Sequence, residues 1–164
     1  MDEKKIQYDV EGFESMTAAL MELINQYPAE SSEIYFSTLA EDSGKSMFPI
    51  SGAIIETEET DITGNIEQVC LYPFYIIYRV AGPSESRKAI IKEYLDNLGK
   101  WLEKQPVTIN GVEYQLDSYP DVTGNRKIIS IARQTPAYID RINDNMSEDW
   151  AIYISARYTN NFRR

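Results

Sequence analysis

Apolar residues Phe13, Met16, Leu20, Leu23, Ile24 and Tyr27 recur at the spacing of one helical face, and Pro28 ends the pattern. The chain therefore opens with an amphipathic helix of about four turns. Ile34 to Leu39 reads as a short strand, and the polar, glycine-containing run Glu41-Asp42-Ser43-Gly44-Lys45-Ser46 as a loop. A second strand is expected over Ile50 to Thr57. After the acidic stretch Glu58-Glu59-Thr60-Asp61, the turn Thr63-Gly64-Asn65 can fold the next strand back on it as a long hairpin. That third strand is apolar on both alternating sets, with Cys70, Tyr72, Phe74, Ile76 and Tyr78 against Val69, Leu71, Tyr75 and Ile77. Both of its faces should be covered, by helices or by neighbouring subunits. Pro73 cannot donate to a ladder, so a bulge or a local edge is expected there.

Ala81-Gly82-Pro83-Ser84 punctuates the end of this strand, and Ser84 is a good helix N-cap. Ile91, Tyr94, Leu95, Leu98, Trp101 and Leu102 then recur at the helical period on an otherwise charged background. Downstream, Asn110-Gly111 between Val107-Thr108-Ile109 and Val112-Glu113-Tyr114 predicts a tight hairpin with a type I′ turn. Arg126 to Gln134 and Trp150 to Tyr158 are the last strands, the latter alternating as a half-buried antiparallel strand does. A short turn of helix is expected between Pro136 and Asp149. The order α-β-β-β-α-β-β-β-β predicts an α+β fold: a mostly antiparallel sheet, two principal amphipathic helices packed on one face, and a long β-hairpin.

Tyr72-Pro73-Phe74, the run Ser84-Glu85-Ser86-Arg87, the Tyr94-Leu95-Asp96 helix and Trp101-Leu102 near its end, taken with the element order, carry a resemblance. The chain resembles a family of phage and prophage minor capsid or tail-terminator proteins, also found in phage-derived contractile tails. The resemblance runs from the first helix to the last strand. Glu56 to Asn65 is longer and more acidic than that family's pattern. The expectation is a single tail-terminator-like domain over residues 1–164, with a short mobile N-terminus at 1–9 and a C-terminal tail at 159–164. The resemblance also implies a ring of six subunits that caps the tail tube, ends its polymerisation and joins it to the connector or collar protein. The partners it implies are the chain itself, the tail tube protein, the connector or collar protein, and a sheath protein if the tail is contractile.

Composition adjusts this picture. With 164 residues and 43% apolar content the chain can bury a sizeable core, and nothing in it reads as a membrane span or an export signal. Synthesis in the bacterial cytoplasm and assembly into a virion or phage-tail-like particle are the expectation. The net charge of -10 argues against sequence-specific nucleic-acid binding. Its distribution is uneven: residues 1–70 hold three basic side chains against fifteen acids, and residues 71–164 hold thirteen against eleven.

Histidine is absent, which removes the commonest general base and metal ligand. Cys70 sits among strand residues, where a buried structural thiol is the usual reading. Gly44-Lys45-Ser46 resembles the end of a phosphate-binding loop, but Leu39 stands where that loop needs a glycine. The acids near position 60 lack the spacing of a calcium loop. No catalytic residue, cofactor or metal site is selected, and no enzymatic activity is expected. The candidate interface residues are the acidic hairpin, Glu56, Glu58, Glu59, Asp61 and Glu67, and on another side Arg157, Phe162, Arg163 and Arg164. The alternatives are an acidic inhibitor that mimics DNA and, third, a small enzyme.

Overall fold

A computed structural model describes residues 6–29 and 33–163. In chain order the elements are β1 (Gln7–Tyr8), α1 (Val10–Ile24), β2 (Ile34–Phe36), β3 (Gly44–Pro49), β4 (Ile54–Thr60), β5 (Asn65–Ala81), α2 (Glu85–Leu102), β6 (Val107–Ile109), β7 (Val112–Tyr114), β8 (Arg126–Arg133), β9 (Tyr138–Ile142) and β10 (Ser147–Arg163). The fold is α+β, with two helices and a mostly antiparallel sheet. Its spine is the antiparallel pair β5–β10, in register over all 17 residues of each strand, from Asn65↔Arg163 to Ala81↔Ser147. On the far side of β5 the ladder is shared. β3 pairs with its last half and β4 with its first half. On the far side of β10 the ladder is shared likewise, β8 pairing with its last half and β9 with its first residues. β2 joins β3 in parallel, the one parallel pair among the described strands.

Pro73 sits where this division falls. β3 ends at Pro49↔Phe74 and β4 begins at Ile54↔Leu71, so no β3 or β4 strand residue lies opposite Pro73 on that side. The Ile50 amide donates to the Pro73 carbonyl at 3.0 Å, so the missing Pro73 donor faces the same gap and the ladder to β10 loses nothing. A long central strand tolerates proline because it is locally an edge there.

Both helices cover one face of the sheet. Asp9 caps α1 by accepting from the Gly12 amide, and Ser84 caps α2 by accepting from that of Arg87. Phe13 of α1 stacks on Tyr72 of β5, and Thr17 hydrogen-bonds the Tyr72 hydroxyl. Trp101 of α2 is buried against Tyr27, just past the end of α1, and Tyr94 meets both Tyr27 and Tyr78 edge-on. Beneath them Cys70, Tyr72, Phe74 and Ile76 of β5 and Ile152, Ile154, Ala156 and Tyr158 of β10 are fully buried. Packing of two amphipathic stripes on one alternating set is what makes this set uniformly apolar.

Several expectations need correction. Gly44–Pro49, read in part as loop, is the strand β3, because its Lys45 is hidden under aromatic rings and so does not behave as a surface polar residue. The segment expected to hold a turn of helix forms strand β9, recruited as a ladder partner by the long β10. Of the N-terminal stretch expected to be mobile, residues 1–5 lie outside the described residues, while β1 pairs with β4 and Asp9 is buried. Residues 159–163, expected as a tail, are the last rungs of β10, held by β5 along their whole length. The Asn-Gly turn is as expected: Asn110 and Gly111 have φ of 49° and 80°, as a type I′ turn requires.

Candidate interaction surfaces

The acidic hairpin is β4–β5, with Glu56 as a bulge residue between Ile55 and Thr57. Its tip is built by one carboxylate. Asp61 accepts from the Thr63 amide (2.9 Å), the Thr63 hydroxyl (2.7 Å), the Asn65 amide (2.9 Å) and the Asn65 side chain (3.1 Å). These bonds, the Thr63 hydroxyl first and the Asn65 amide next, hold its pKa down at about 2. Asp61 is thus occupied in shaping its own turn. The consequence is that Ile62, at the apex, is fully exposed, with a relative accessibility of 104%.

The other acids spread down the hairpin. Glu59 and Glu67 stand directly opposite each other, Glu58 accepts from Gln68 at 2.8 Å, and Glu56 approaches Arg157 at 3.3 Å. The basic end of the chain lies beside this hairpin and not on another side. Antiparallel pairing places Arg163 opposite Asn65, Phe162 opposite Ile66 and Asn161 opposite Glu67. Arg164 lies outside the described residues. Acidic and basic candidates therefore share one end of the sheet and partly neutralise each other within the chain.

Behind this end is a buried polar cluster that fastens the chain's start to its last strands. Asp9 takes two bonds from Arg126 (2.7 and 2.9 Å) and one from the Tyr158 hydroxyl (2.8 Å). Burial raises the Asp9 pKa, but the Arg126 and Tyr158 hydrogen bonds outweigh it and hold the carboxyl below its usual value. Cys70 lies near by, fully buried, with its thiol pushed up to about 11, chiefly by burial. Such a thiol is a poor nucleophile.

The face of the sheet away from the helices has no second layer among the described residues. Tyr75 and Tyr153 pack on each other at 5.2 Å between ring centres, beside Ile77, Leu71, Val69 and Phe48, all half-buried. Arg79 and Asp149 close this strip with a two-pronged ion pair at 2.7 and 2.9 Å.

At the opposite end of β5 from the hairpin tip, the loop between β2 and β3 borders a groove of about 780 Å³. Lys45 lines it, 1% exposed, and its ammonium has no hydrogen-bond partner among the described residues. The amine lies 5.5 Å from the centre of the Tyr78 ring and 5.0 Å from that of Tyr94, and burial pushes its pKa down to about 8. Ser46 beside it is also committed, donating to the Tyr35 carbonyl and accepting from the Thr38 amide. Gly44-Lys45-Ser46 is therefore a strand and not a phosphate cradle. Sequence reasoning missed both Ile62 and Lys45. An isoleucine inside a polar turn was a usable signal for the first. The second had none, because its burial depends on α2.

No family model matches the chain, and no curated protein does. Among solved structures it is similar to a chain described as "Virion of native gene transfer agent (GTA) particle", 9% identical, over 93% of this chain and 99% of that chain, with a TM-score of 0.42. A likeness of that degree carries no argument about function. Among the described residues, no three of Cys, Asp and Glu are grouped to hold a metal ion, and no helix is long and apolar enough to cross a membrane.

Proposed function

We propose that this chain is a structural subunit of a phage or phage-derived tail, forming a ring that caps the tail tube, ends its polymerisation and joins it to a connector or collar. The observation that carries the reading is the sheet face bearing Tyr75, Tyr153, Ile77 and Leu71 and lacking a layer of its own, on the same strands that extend into the hairpin. An enzyme of this size concentrates its polar groups in a concave site. Here the strongest features are an extended apolar strip and a projecting edge, which suit packing against other chains. The resemblance carried by Tyr72-Pro73-Phe74 and the Ser84 to Leu102 helix points the same way. In this reading the ring is a hexamer made in the bacterial cytoplasm, its partners are the tube, the connector or collar and any sheath, and it has no catalytic role and needs no cofactor.

The test is tail length. Tails assembled with a chain lacking the hairpin apex, residues 60–65 replaced by a two-residue turn, are expected to be of irregular length or unjoined in electron micrographs, while the isolated chain keeps its fold by circular dichroism. Tails of normal length and completion would refute the reading.

A further inference from the structure

Two unexplained features lie at opposite ends of the same strand. At one end Ile62 stands wholly in solvent at the apex of the hairpin, with the exposed Glu59 on the arm behind it. At the other end is the groove beside Lys45, whose walls include the apolar surfaces of Tyr35, Leu39, Tyr78 and Val80. Arg87 lines it too; it donates to the Tyr78 hydroxyl at 3.3 Å and forms no ion pair among the described residues. Asp42 also lines the groove, and Arg79 is engaged by Asp149 and the Ala40 carbonyl, so the groove cations without an acidic partner among the described residues are Lys45 and Arg87. A buried ammonium with no counter-charge is costly, and an apolar side chain fully in water at a turn is the residue type that anchors interfaces.

We propose that the hairpin tip of one copy seats in this groove of the next, Ile62 entering between the apolar walls and Glu59 settling toward Arg87 and Lys45. The two ends are separated by the length of β5, roughly 50 Å for 16 steps of about 3.3 Å, so a chain cannot fill its own groove. The contact is head to tail, and each copy gives a tip and receives one. Such a contact closes into a ring when successive rotations sum to a full turn. Ile62 provides burial, while the charges fix which way the tip enters. This rests on the ring reading above, and it names the contact between subunits. It also explains why Asp61 is spent on the turn: a rigid apex presents Ile62 with little ordering to lose on docking.

The experiment uses the full chain carrying Ile62→Cys together with Ala81→Cys, Ala81 being exposed at the groove, with Cys70 too buried to react. Mild oxidation is expected to give a ladder of covalent oligomers whose linkages, identified by peptide mass spectrometry, join position 62 to position 81. Ile62→Cys alone gives no species beyond a dimer. In the doubly substituted background, Glu59→Lys and Arg87→Glu should each lower the yield of the 62–81 linkage about tenfold, and mixing those two proteins should restore it. Lys45→Met should also weaken the linkage while leaving the isolated chain at least as stable, which separates docking from misfolding. Linkages confined to 62–62, oligomers joined elsewhere, or no linkage at all would each overturn the docking. The tail-length assay reads the ring function independently of these outcomes.

Discussion

Replacing Lys45 with methionine should stabilise the isolated chain, although it removes a charged residue from a strand of the central sheet. Methionine has a similar length and no branching, so the volume under Tyr78 and Tyr94 stays filled. The magnitude follows from the proton equilibrium. A pKa lowered from 10.5 to about 8 means that the folded chain disfavours the ammonium by roughly 3 kcal/mol, at about 1.4 kcal/mol for each unit. Below about pH 8 both states are protonated and the penalty is constant. Between about pH 8 and 10.5 the folded chain gives up its proton first, the unfolded chain then binds more protons, and stability rises with pH. At neutral pH Lys45→Met should therefore be about 1 to 3 kcal/mol more stable than the parent, and most of this difference should vanish by pH 10. Urea denaturation of both proteins at pH 7 and pH 10, dilute enough to prevent self-association, measures it. Tyr27, Tyr72 and Tyr158 have raised pKa values and weaken the fold at high pH, but equally in both proteins, so the difference isolates Lys45. A methionine variant less stable than the parent, or a difference that does not change with pH, would show that the ammonium is satisfied in the monomer and would refute the reasoning.

Gly99→Ala should destabilise α2 against the sheet, the reverse of what helix propensity alone gives. A Cβ there would meet Arg133 Cδ at 2.5 Å and Ile152 Cδ1 at 2.9 Å, and Arg133 is held by Glu103, so the expected loss is about 1 to 2 kcal/mol by chemical denaturation. Asp9→Ala should cost about 3 to 5 kcal/mol near neutral pH, because it strands the Arg126 guanidinium and removes the α1 cap. The folded Asp9 pKa lies below the unfolded value near 3.8, so its contribution is present above that value and is lost as pH falls through the folded pKa. An acid titration of stability should accordingly be flatter for Asp9→Ala than for the parent.

The elements legible in the sequence are those whose signal is local. Ser84 and the stripe Ile91 to Leu102 define α2 without reference to anything else, and Asn110-Gly111 defines its own turn. The third strand was legible as a strand because its apolar residues leave no other choice, and the gap opposite Pro73 is a local edge of the kind proline requires. Elements created by pairing were not legible. β9, Tyr-Ile-Asp-Arg-Ile, carries charge at its centre and becomes a strand because β10 is long enough to offer it a ladder. β1 is two residues long and exists through β4. For the candidate surfaces, the acidity of the hairpin was plain from sequence. Its geometry was not, because Asp61 looks like one more exposed acid until its four hydrogen bonds are seen.

The charge split along the chain is likewise not a charge split in space. Because β10 returns antiparallel along β5, the basic second half is laid against the acidic first half. The pairs Asp9–Arg126 and Glu56–Arg157 both cross that divide. Arg157 and Glu56 are 45% and 39% exposed, so this pair is worth at most about 1 kcal/mol, yet it already occupies a cation that sequence alone offered to a neighbouring subunit. A head-to-tail assembly needs two unlike patches, and patches that neutralise each other inside one subunit cannot supply them. The asymmetry that survives runs between the two ends of the β5–β10 ribbon. One end carries acids around an exposed isoleucine, and the other has, around an apolar groove, two cations without acidic partners among the described residues. In the proposed assembly, orientation between copies is therefore set along the strand axis, by an antiparallel pair long enough to hold its two ends apart.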